Sequence, residues 1–362
     1  MHIDLKGHDM NFNFNKPGKA IKRLVITALV VTVCFCQIGF SGMFYAGKSI
    51  SAFAASVTGN IANDPITNTG STTTVSDKVT INGDKAETSV GNAVGNAIVN
   101  NAINNNSKEV VINATTNAGK TDATTIKFSE SAIKNLSEKT EVSLIFETDC
   151  ASITFDNKAV TEVANQAGSY KQIILSVETP EKRSNKLIVN LKLETSAGIV
   201  DEINAGIVTV TAPVKDVYDG KELACVKNSV TGKYEANQGT MKNEEFTFTA
   251  DAFSTYLIIP QEDVAAVTSI KTMTAKAVKP AKKSAKVTLV KAENASGYQI
   301  QSSTSAKFTG AKTTKVGKNS GAATVKGLKS KKKYYVRVRT VTTVTSGTYY
   351  SAWGKAKVVK VK

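Results

Sequence analysis

Apolar and polar side chains alternate along most of residues 265–362. A period of two places successive side chains on opposite faces of a strand, so each alternating run predicts a strand with one buried face. The apolar positions of these runs are Val287 and Leu289, Tyr298 and Ile300, Ala323 and Val325, Tyr334 with Val336 and Val338, and Val359 with Val361. About six or seven such strands in roughly one hundred residues predict an Ig-like β-sandwich.

Three phrases of this segment carry a family resemblance: residues 297–303 (GYQIQSS), 327–338 (GLKSKKKYYVRV) and 351–353 (SAW). They resemble fibronectin type III domains, particularly the lysine-rich ones at the C-termini of clostridial, Gram-positive surface proteins. The resemblance implies that Tyr334 is the corner tyrosine, whose hydroxyl bonds backbone upstream. It also implies that Leu289 stands where the family usually has a core tryptophan.

Residues 78–262 contain many short β-branched and aromatic runs with small helices between them. Apolar residues from Val90 to Ile103 recur at helical spacing in an asparagine-rich segment, and Ser129 and Asp156 are expected to cap two further helices. Helices confined to connections between strands predict an α+β domain or a decorated β-sandwich. The whole chain is therefore expected to be mostly β.

The phrases at residues 110–115, 151–160, 205–210 and 248–256 carry a second resemblance. They resemble a β-rich module found in exported surface proteins of Gram-positive bacteria, and the similarity covers most of residues 78–262. It implies a location outside the cell and attaches no activity to the module.

Residues 1–54 have the pattern of a secretory signal peptide. Basic residues between Lys16 and Arg23 precede an apolar stretch, and small residues near its end predict cleavage after Ala54. The alternative is an uncleaved membrane anchor formed by residues 24–45. Residues 55–77 are small and polar and are expected to form a flexible spacer.

Both histidines, His2 and His8, precede the predicted cleavage site. The exported protein would lack imidazole, which excludes Ser-His-Asp and Cys-His nucleophile pairs and histidine metal sites. Cys150 and Cys225 remain, either as a disulfide that closes a long loop or as two buried free thiols. No cofactor and no enzymatic activity are predicted.

Charge is distributed very unevenly along the chain. Residues 265–362 contain 22 Lys and Arg but one acidic residue, in a chain of net charge +16. This excess is larger than solubility requires and predicts attraction to an extended polyanion, such as the anionic polymers of a Gram-positive cell wall. The alternative is a solvated surface that keeps edge strands from pairing with other chains. The candidate polyanion-binding residues are Lys312, Lys315, Lys326, Lys329, Lys331, Lys332, Lys333, Arg337 and Arg339.

Three neighbouring aromatic residues, Tyr349, Tyr350 and Trp353, form a candidate glycan-stacking platform. A glycosidase would instead need two carboxylates across a cleft, and the spacing of the available acids selects no pair. The carboxylates considered are Asp149, Asp156, Glu244, Glu245 and Asp251. The acidic loop at residues 216–222 is interpreted as a solvated turn rather than a calcium site.

The sequence therefore predicts an exported, non-catalytic, modular protein associated with the cell surface or cell wall. Its expected partners are anionic wall polymers or glycans, or other surface proteins. Nucleic acid is not expected because of export, and membrane contact is expected only through residues 24–45 if they are uncleaved. The rival hypotheses are a carbohydrate-binding or adhesion module and a secreted hydrolase accessory or carboxylate-dependent glycosidase.

Overall fold

The computed structural model describes residues 66–362 except for 77, 117–120, 169–170, 184, 218–219 and 230. The strands before residue 261 are β1 (Ile66–Thr69), β2 (Thr72–Ser76), β3 (Thr80–Asn82), β4 (Lys85–Val90), β5 (Glu109–Asn113), β6 (Ala123–Ser129), β7 (Ser143–Glu147), β8 (Ser152–Phe155), β9 (Gln172–Glu178), β10 (Lys182–Arg183), β11 (Lys186–Thr195), β12 (Gly198–Val200), β13 (Val208–Pro213), β14 (Leu223–Asn228), β15 (Tyr234–Asn237), β16 (Gly239–Lys242), β17 (Glu245–Thr249) and β18 (Thr255–Pro260). The helices are α1 (Asn92–Asn104), α2 (Glu130–Lys139), α3 (Asn157–Gln166) and α4 (Gln261–Thr268). The remaining strands are β19 (Ala277–Ala281), β20 (Ser284–Thr288), β21 (Gly297–Ser303), β22 (Lys312–Gly317), β23 (Ala322–Lys326), β24 (Lys333–Val344), β25 (Gly347–Tyr350) and β26 (Lys357–Lys360).

Strands β1 to β18 form the N-terminal module, which is built from two sheets around one core. The 8-stranded sheet has the order β1-β2-β5-β7-β8-β13-β17-β16, and the 10-stranded sheet has the order β15-β14-β18-β11-β9-β6-β4-β3 with β10 and β12 added to β11. Aromatic rings from the two sheets meet in the core: Phe128 lies edge-on to Phe146 at 6.1 Å, and Phe248 lies 4.8 Å from Tyr256. The module is therefore the decorated β-sandwich among the predicted alternatives.

Helices α1, α2 and α3 are the decoration, because each connects a strand of one sheet to a strand of the other. The predicted caps are confirmed. Ser129 Oγ accepts a hydrogen bond from Ala132 N at 3.2 Å, and Asp156 Oδ1 accepts one from Ala159 N at 2.8 Å. Among the described residues, no helix combines the length and apolar character needed to cross a bilayer.

The prediction of a flexible spacer over residues 55–77 is wrong for residues 66–76. Strands β1 and β2 form a hairpin, and β2 pairs in parallel with β5, so that Val75 is fully buried beside Ile112. The polar side chains of this hairpin form hydrogen bonds with nearby residues. Thr73 Oγ1 donates one to Asn68 Oδ1 at 2.8 Å and shares another with Ser107 Oγ at 2.8 Å. The predicted signal peptide, its alternative anchor at 24–45 and residues 55–65 lie outside the described residues.

Strands β19 to β26 form the C-terminal domain, and the predicted Ig-like sandwich is confirmed. One sheet has the order β19-β20-β23, and the other has the order β22-β21-β24-β25, with β26 also paired to β24. Their inner faces share a core that includes Val287, Ile300 and Val336 as well as Leu289. Tyr334 Oη accepts a hydrogen bond from Lys329 N at 3.1 Å, which is the upstream backbone contact that the resemblance implies.

Helix α4 lies across the predicted boundary at residues 262–265 and contacts both domains. The buried carboxylate of Asp263 accepts hydrogen bonds from Ser346 N at 2.8 Å and Ser346 Oγ at 2.6 Å. Tyr234 of the module donates its hydroxyl hydrogen to Tyr350 O at 3.1 Å. An apolar cluster joins the two domains and consists of Val226, Tyr234, Leu257, Ile259, Val267, Ile270 and Tyr349.

Cys150 and Cys225 are both buried free thiols, so of the two alternatives left open by the sequence, the disulfide is wrong and the pair of separate thiols holds. Cys225 lies on β14 of the larger sheet, whereas Cys150 lies between β7 and β8 of the other sheet. Burial raises the pKa of Cys150, and burial raises the pKa of Cys225 to about 12. Both side chains therefore act as small core residues.

Candidate functional site

The lysines selected from the sequence are all exposed, but they do not share one face. Lys315 pairs with Gln299, which pairs with Arg339, so these three lie on the outward face of the five-stranded sheet. Lys312 pairs with the buried Ser302 and so lies on the opposite side of the edge strand β22. Lys326 belongs to the other sheet. Lys315 and the two arginines therefore lie apart from the other six selected lysines.

The other six selected lysines gather with further lysines at one end of the sandwich, which we call the basic pole. The pole contains Lys282, Lys283, Lys307, Lys312, Lys326, Lys329, Lys331, Lys332, Lys333, Lys360 and Lys362. Backbone hydrogen bonds bring its turns together, since Leu328 N donates to Lys283 O at 3.0 Å and Lys331 N donates to Val361 O at 2.9 Å. Strand β24 leaves this pole at Lys333 and, 11 residues later, ends at Val344 beside the N-terminal module. At about 3.3 Å per residue, the pole lies about 36 Å from that end.

The positive charge of this domain is not balanced internally. Glu293 is the one acidic residue between 265 and 362. The ion pairs formed among the described residues all lie before Asp263. Lys279 also lies directly opposite Lys286, and Lys333 directly opposite Lys360, although like charges in these positions destabilise a sheet.

Arg337 and Arg339 belong to a stack of alternating cationic and aromatic groups on the outward face of the five-stranded sheet. The guanidinium carbon of Arg337 lies 3.9 Å from the ring centre of Phe308 and 4.7 Å from that of Trp353. The guanidinium carbon of Arg339 lies 4.5 Å from the Trp353 ring and 4.0 Å from the Tyr350 ring. We call this set, Phe308, Arg337, Trp353, Arg339 and Tyr350, the arginine ladder. Its contacts are within the range of cation–π attraction.

Each arginine of the ladder is also held by a glutamine on the neighbouring strand β21. Nε and Nη2 of Arg337 donate to Gln301 Oε1 at 2.9 and 2.7 Å. Nε and Nη2 of Arg339 donate to Gln299 Oε1 at the same two distances. Sequence reasoning missed Phe308 and both glutamines. The glutamines were detectable, because Gln299 and Gln301 alternate with buried residues as Arg337 and Arg339 do.

The predicted glycan platform of Tyr349, Tyr350 and Trp353 is not formed. Tyr349 is 3% exposed and points into the junction between the domains, where its ring lies edge-on to Tyr234 at 5.9 Å. Lys186 Nζ covers the Tyr349 ring at 4.8 Å. Tyr350 and Trp353 are half-buried, and guanidinium groups occupy ring faces that a sugar would need.

Four of the five carboxylates considered for catalysis have structural partners, and one of these, Asp156, is the helix cap described above. Asp149 accepts hydrogen bonds from Thr116 and Thr121; burial works against its ionisation, but these bonds outweigh burial and lower the pKa of Asp149. Asp251 accepts hydrogen bonds from Lys227 Nζ at 2.8 and 3.0 Å, and Glu244 lies 3.8 Å from Lys215. The described part of the chain contains no group of three or more His, Cys, Asp or Glu side chains placed to hold a metal ion.

Comparison with known proteins gives similarity to solved structures alone, because no protein-family model and no curated protein matches the sequence. The FN5 domain of Drosophila Lar is 22% identical over 25% of this chain and 91% of its own, with a TM-score of 0.20. The third fibronectin III domain of human KIAA0343 protein is 16% identical over 26% of this chain and 84% of its own, with a TM-score of 0.21. The FN1–FN3 domains of chicken CNTN1 are 11% identical over 59% of this chain and 95% of their own, with a TM-score of 0.23.

Proposed function

We propose that the chain is an exported, non-catalytic, modular surface protein whose C-terminal sandwich attaches it to an anionic polymer of the cell envelope. The observation that carries this proposal is the basic pole, where exposed lysines crowd together in a domain with one carboxylate. This attachment would hold the N-terminal module at the envelope, and we assign no activity to that module.

The like-charged pairs on the sheets support a binding role. Lys279 lies opposite Lys286, and Lys333 lies opposite Lys360. Like charges in these positions are expected to lower the stability of the fold, so the charge does not serve to hold the domain together. The alternative, a solvated surface that only protects edge strands, accounts for Lys279 on β19 and for Lys312 and Lys315 on β22. It does not account for the other lysines of the pole, most of which lie in turns or at the ends of strands. The position of the charge therefore favours attraction to a partner.

Attachment of this kind consists of many weak contacts. Each exposed lysine contributes little, and dissolved salt screens it over about 10 Å at 0.1 M. Attraction summed over the pole raises the local concentration of a polyanion and speeds encounter with it. Binding should therefore fall steeply as salt rises.

The proposal is tested by sedimenting the purified full chain with Gram-positive cell walls. We expect strong binding at about 0.05 M NaCl and loss of most binding at about 0.5 M. A variant with Lys329→Gln, Lys331→Gln, Lys332→Gln and Lys333→Gln should bind at least about tenfold more weakly at low salt. Its matched control changes four exposed lysines of the N-terminal module, Lys85→Gln, Lys139→Gln, Lys158→Gln and Lys242→Gln, and should bind almost normally.

Two results would contradict the proposal. One is wall binding that is equal at both salt concentrations. The other is binding that persists on walls from which the anionic polymers have been extracted.

A further inference from the structure

The arginine ladder presents two guanidinium groups with the same set of hydrogen-bond donors still available. A guanidinium has five N–H groups, and in Arg337 and Arg339 the Nε–Nη2 edge is occupied by Gln301 and Gln299. The opposite fork, formed by Nη1 and Nη2, has no carboxylate partner among the described residues. This fork has the geometry that matches two oxygens of a phosphate or sulfate group.

Both forks are fixed before any ligand arrives. Each guanidinium lies over two aromatic rings, and a glutamine holds one of its edges. Ordering a free arginine side chain costs binding free energy, so a side chain that is already ordered binds more tightly. Because the two arginines are two residues apart on β24, their positions along the strand are about 7 Å apart.

We propose that Arg337 and Arg339 form a two-point oxyanion site that binds neighbouring phosphate or sulfate groups of one extended polymer. Each arginine receives one group through its Nη1–Nη2 fork, while Lys315 and Lys333 on the same face supply further positive charge. This inference rests on the proposed function and assigns recognition to the ladder, whereas the basic pole supplies general attraction.

The single tryptophan of the chain makes the site directly observable, because Trp353 lies between the two guanidinium groups. The full chain is titrated with polyphosphate and, separately, with dextran sulfate while Trp353 fluorescence is recorded. We expect a saturable change with at least one polymer, and the two titrations distinguish phosphate from sulfate as the preferred group. Inorganic phosphate, which offers one group, should require at least about a hundredfold higher concentration.

Three double variants separate fork geometry from charge. Arg337→Lys with Arg339→Lys keeps the charge but removes both forks, and should weaken polymer binding at least about tenfold. Gln299→Glu with Gln301→Glu keeps the ladder but places a carboxylate beside each guanidinium, which offsets its positive charge. This variant should weaken binding similarly. Lys279→Gln with Lys286→Gln makes the same change in net charge on the other sheet and should have a smaller effect. Circular dichroism checks that each variant is folded.

The proposal is overturned if the double lysine variant binds like the unchanged protein, or if a polymer binds without altering Trp353 fluorescence. It is also overturned if inorganic phosphate binds as tightly as the polymers. In each of these cases wall binding through the basic pole can persist, so failure of the ladder is distinguishable from failure of the proposed function.

Discussion

Glu130 is a fully buried carboxylate that joins three parts of the N-terminal module. It begins helix α2 and accepts hydrogen bonds from Ser196 N at 2.6 Å, Ser196 Oγ at 2.9 Å and Lys171 N at 3.2 Å. Burial by itself would raise the pKa of this carboxyl, but the hydrogen bonds from Ser196 and Lys171 outweigh burial and lower the pKa. The ionised form of Glu130 therefore stabilises the folded module.

We expect Glu130→Gln to lower the free energy of unfolding by about 1–3 kcal/mol at pH 7, because buried donors lose a charged acceptor. A carboxyl whose folded pKa is lowered stabilises the fold above its unfolded pKa, and that contribution is lost as pH falls through the folded pKa. The difference between the two proteins should therefore shrink below about pH 4. Urea unfolding of both proteins from pH 7 to pH 3 measures this difference in the free energy of unfolding.

The control for this experiment is Glu138→Gln on the exposed side of the same helix, which should change stability little at any pH. A difference between the Glu130 variant and the unchanged protein that stayed constant across this pH range would contradict the prediction.

At the scale of single elements, strands β19 and β20 show the cost of the positive charge. Lys279 and Lys286 face each other across the two strands, so Lys286→Glu should replace repulsion with attraction and raise the free energy of unfolding by about 0.2–1 kcal/mol. Thermal or urea unfolding at low salt measures the change. Lys291→Glu, which makes the same change in net charge within a loop, should have less effect. Equal stabilisation by both variants would show that general charge reduction, rather than the cross-strand pair, is responsible.

Strand periodicity explains how much of the fold could be predicted from the sequence. The alternation around Tyr334 and the caps at Ser129 and Asp156 are local signals, and each corresponds to an observed element. The hairpin of β1 and β2 was missed because its threonine-rich strands are stabilised by distant pairing with β5. The order of strands in the two large sheets depends on the same kind of long-range contact.

The candidate site shows the same limit. A period of two correctly places Arg337 and Arg339 on the outward face. The ladder also requires Phe308 to reach Arg337 from the loop before β22, and nothing in the spacing of the sequence indicates that contact. Tyr349 was wrongly assigned to a glycan-binding surface because its strand, β25, forms part of the junction between the domains. The sequence of the C-terminal domain alone does not indicate that junction.

At the scale of the whole molecule, the junction between the two domains is apolar and aromatic. Tyr349→Ala should remove an edge-on contact with Tyr234 and leave a cavity, destabilising the junction by about 3–5 kcal/mol. In the unchanged protein we expect Trp353 fluorescence, which reports the C-terminal domain, to change together with far-ultraviolet circular dichroism during urea unfolding. In the variant the two transitions should separate.

Tyr335→Ala is the control for this substitution, because Tyr335 lies on the outward face of the same domain, away from Tyr234. Its two transitions should remain coincident. Coincident transitions in the Tyr349 variant would show that the junction does not couple the domains.

The distance between the basic pole and the junction has a consequence for how the protein would meet a surface. Charge collected at one tip gives a molecule a permanent electric dipole, and a negatively charged layer exerts a torque on that dipole. The chain would rotate as it approached, so that the basic pole contacts the layer first and the N-terminal module points away from it.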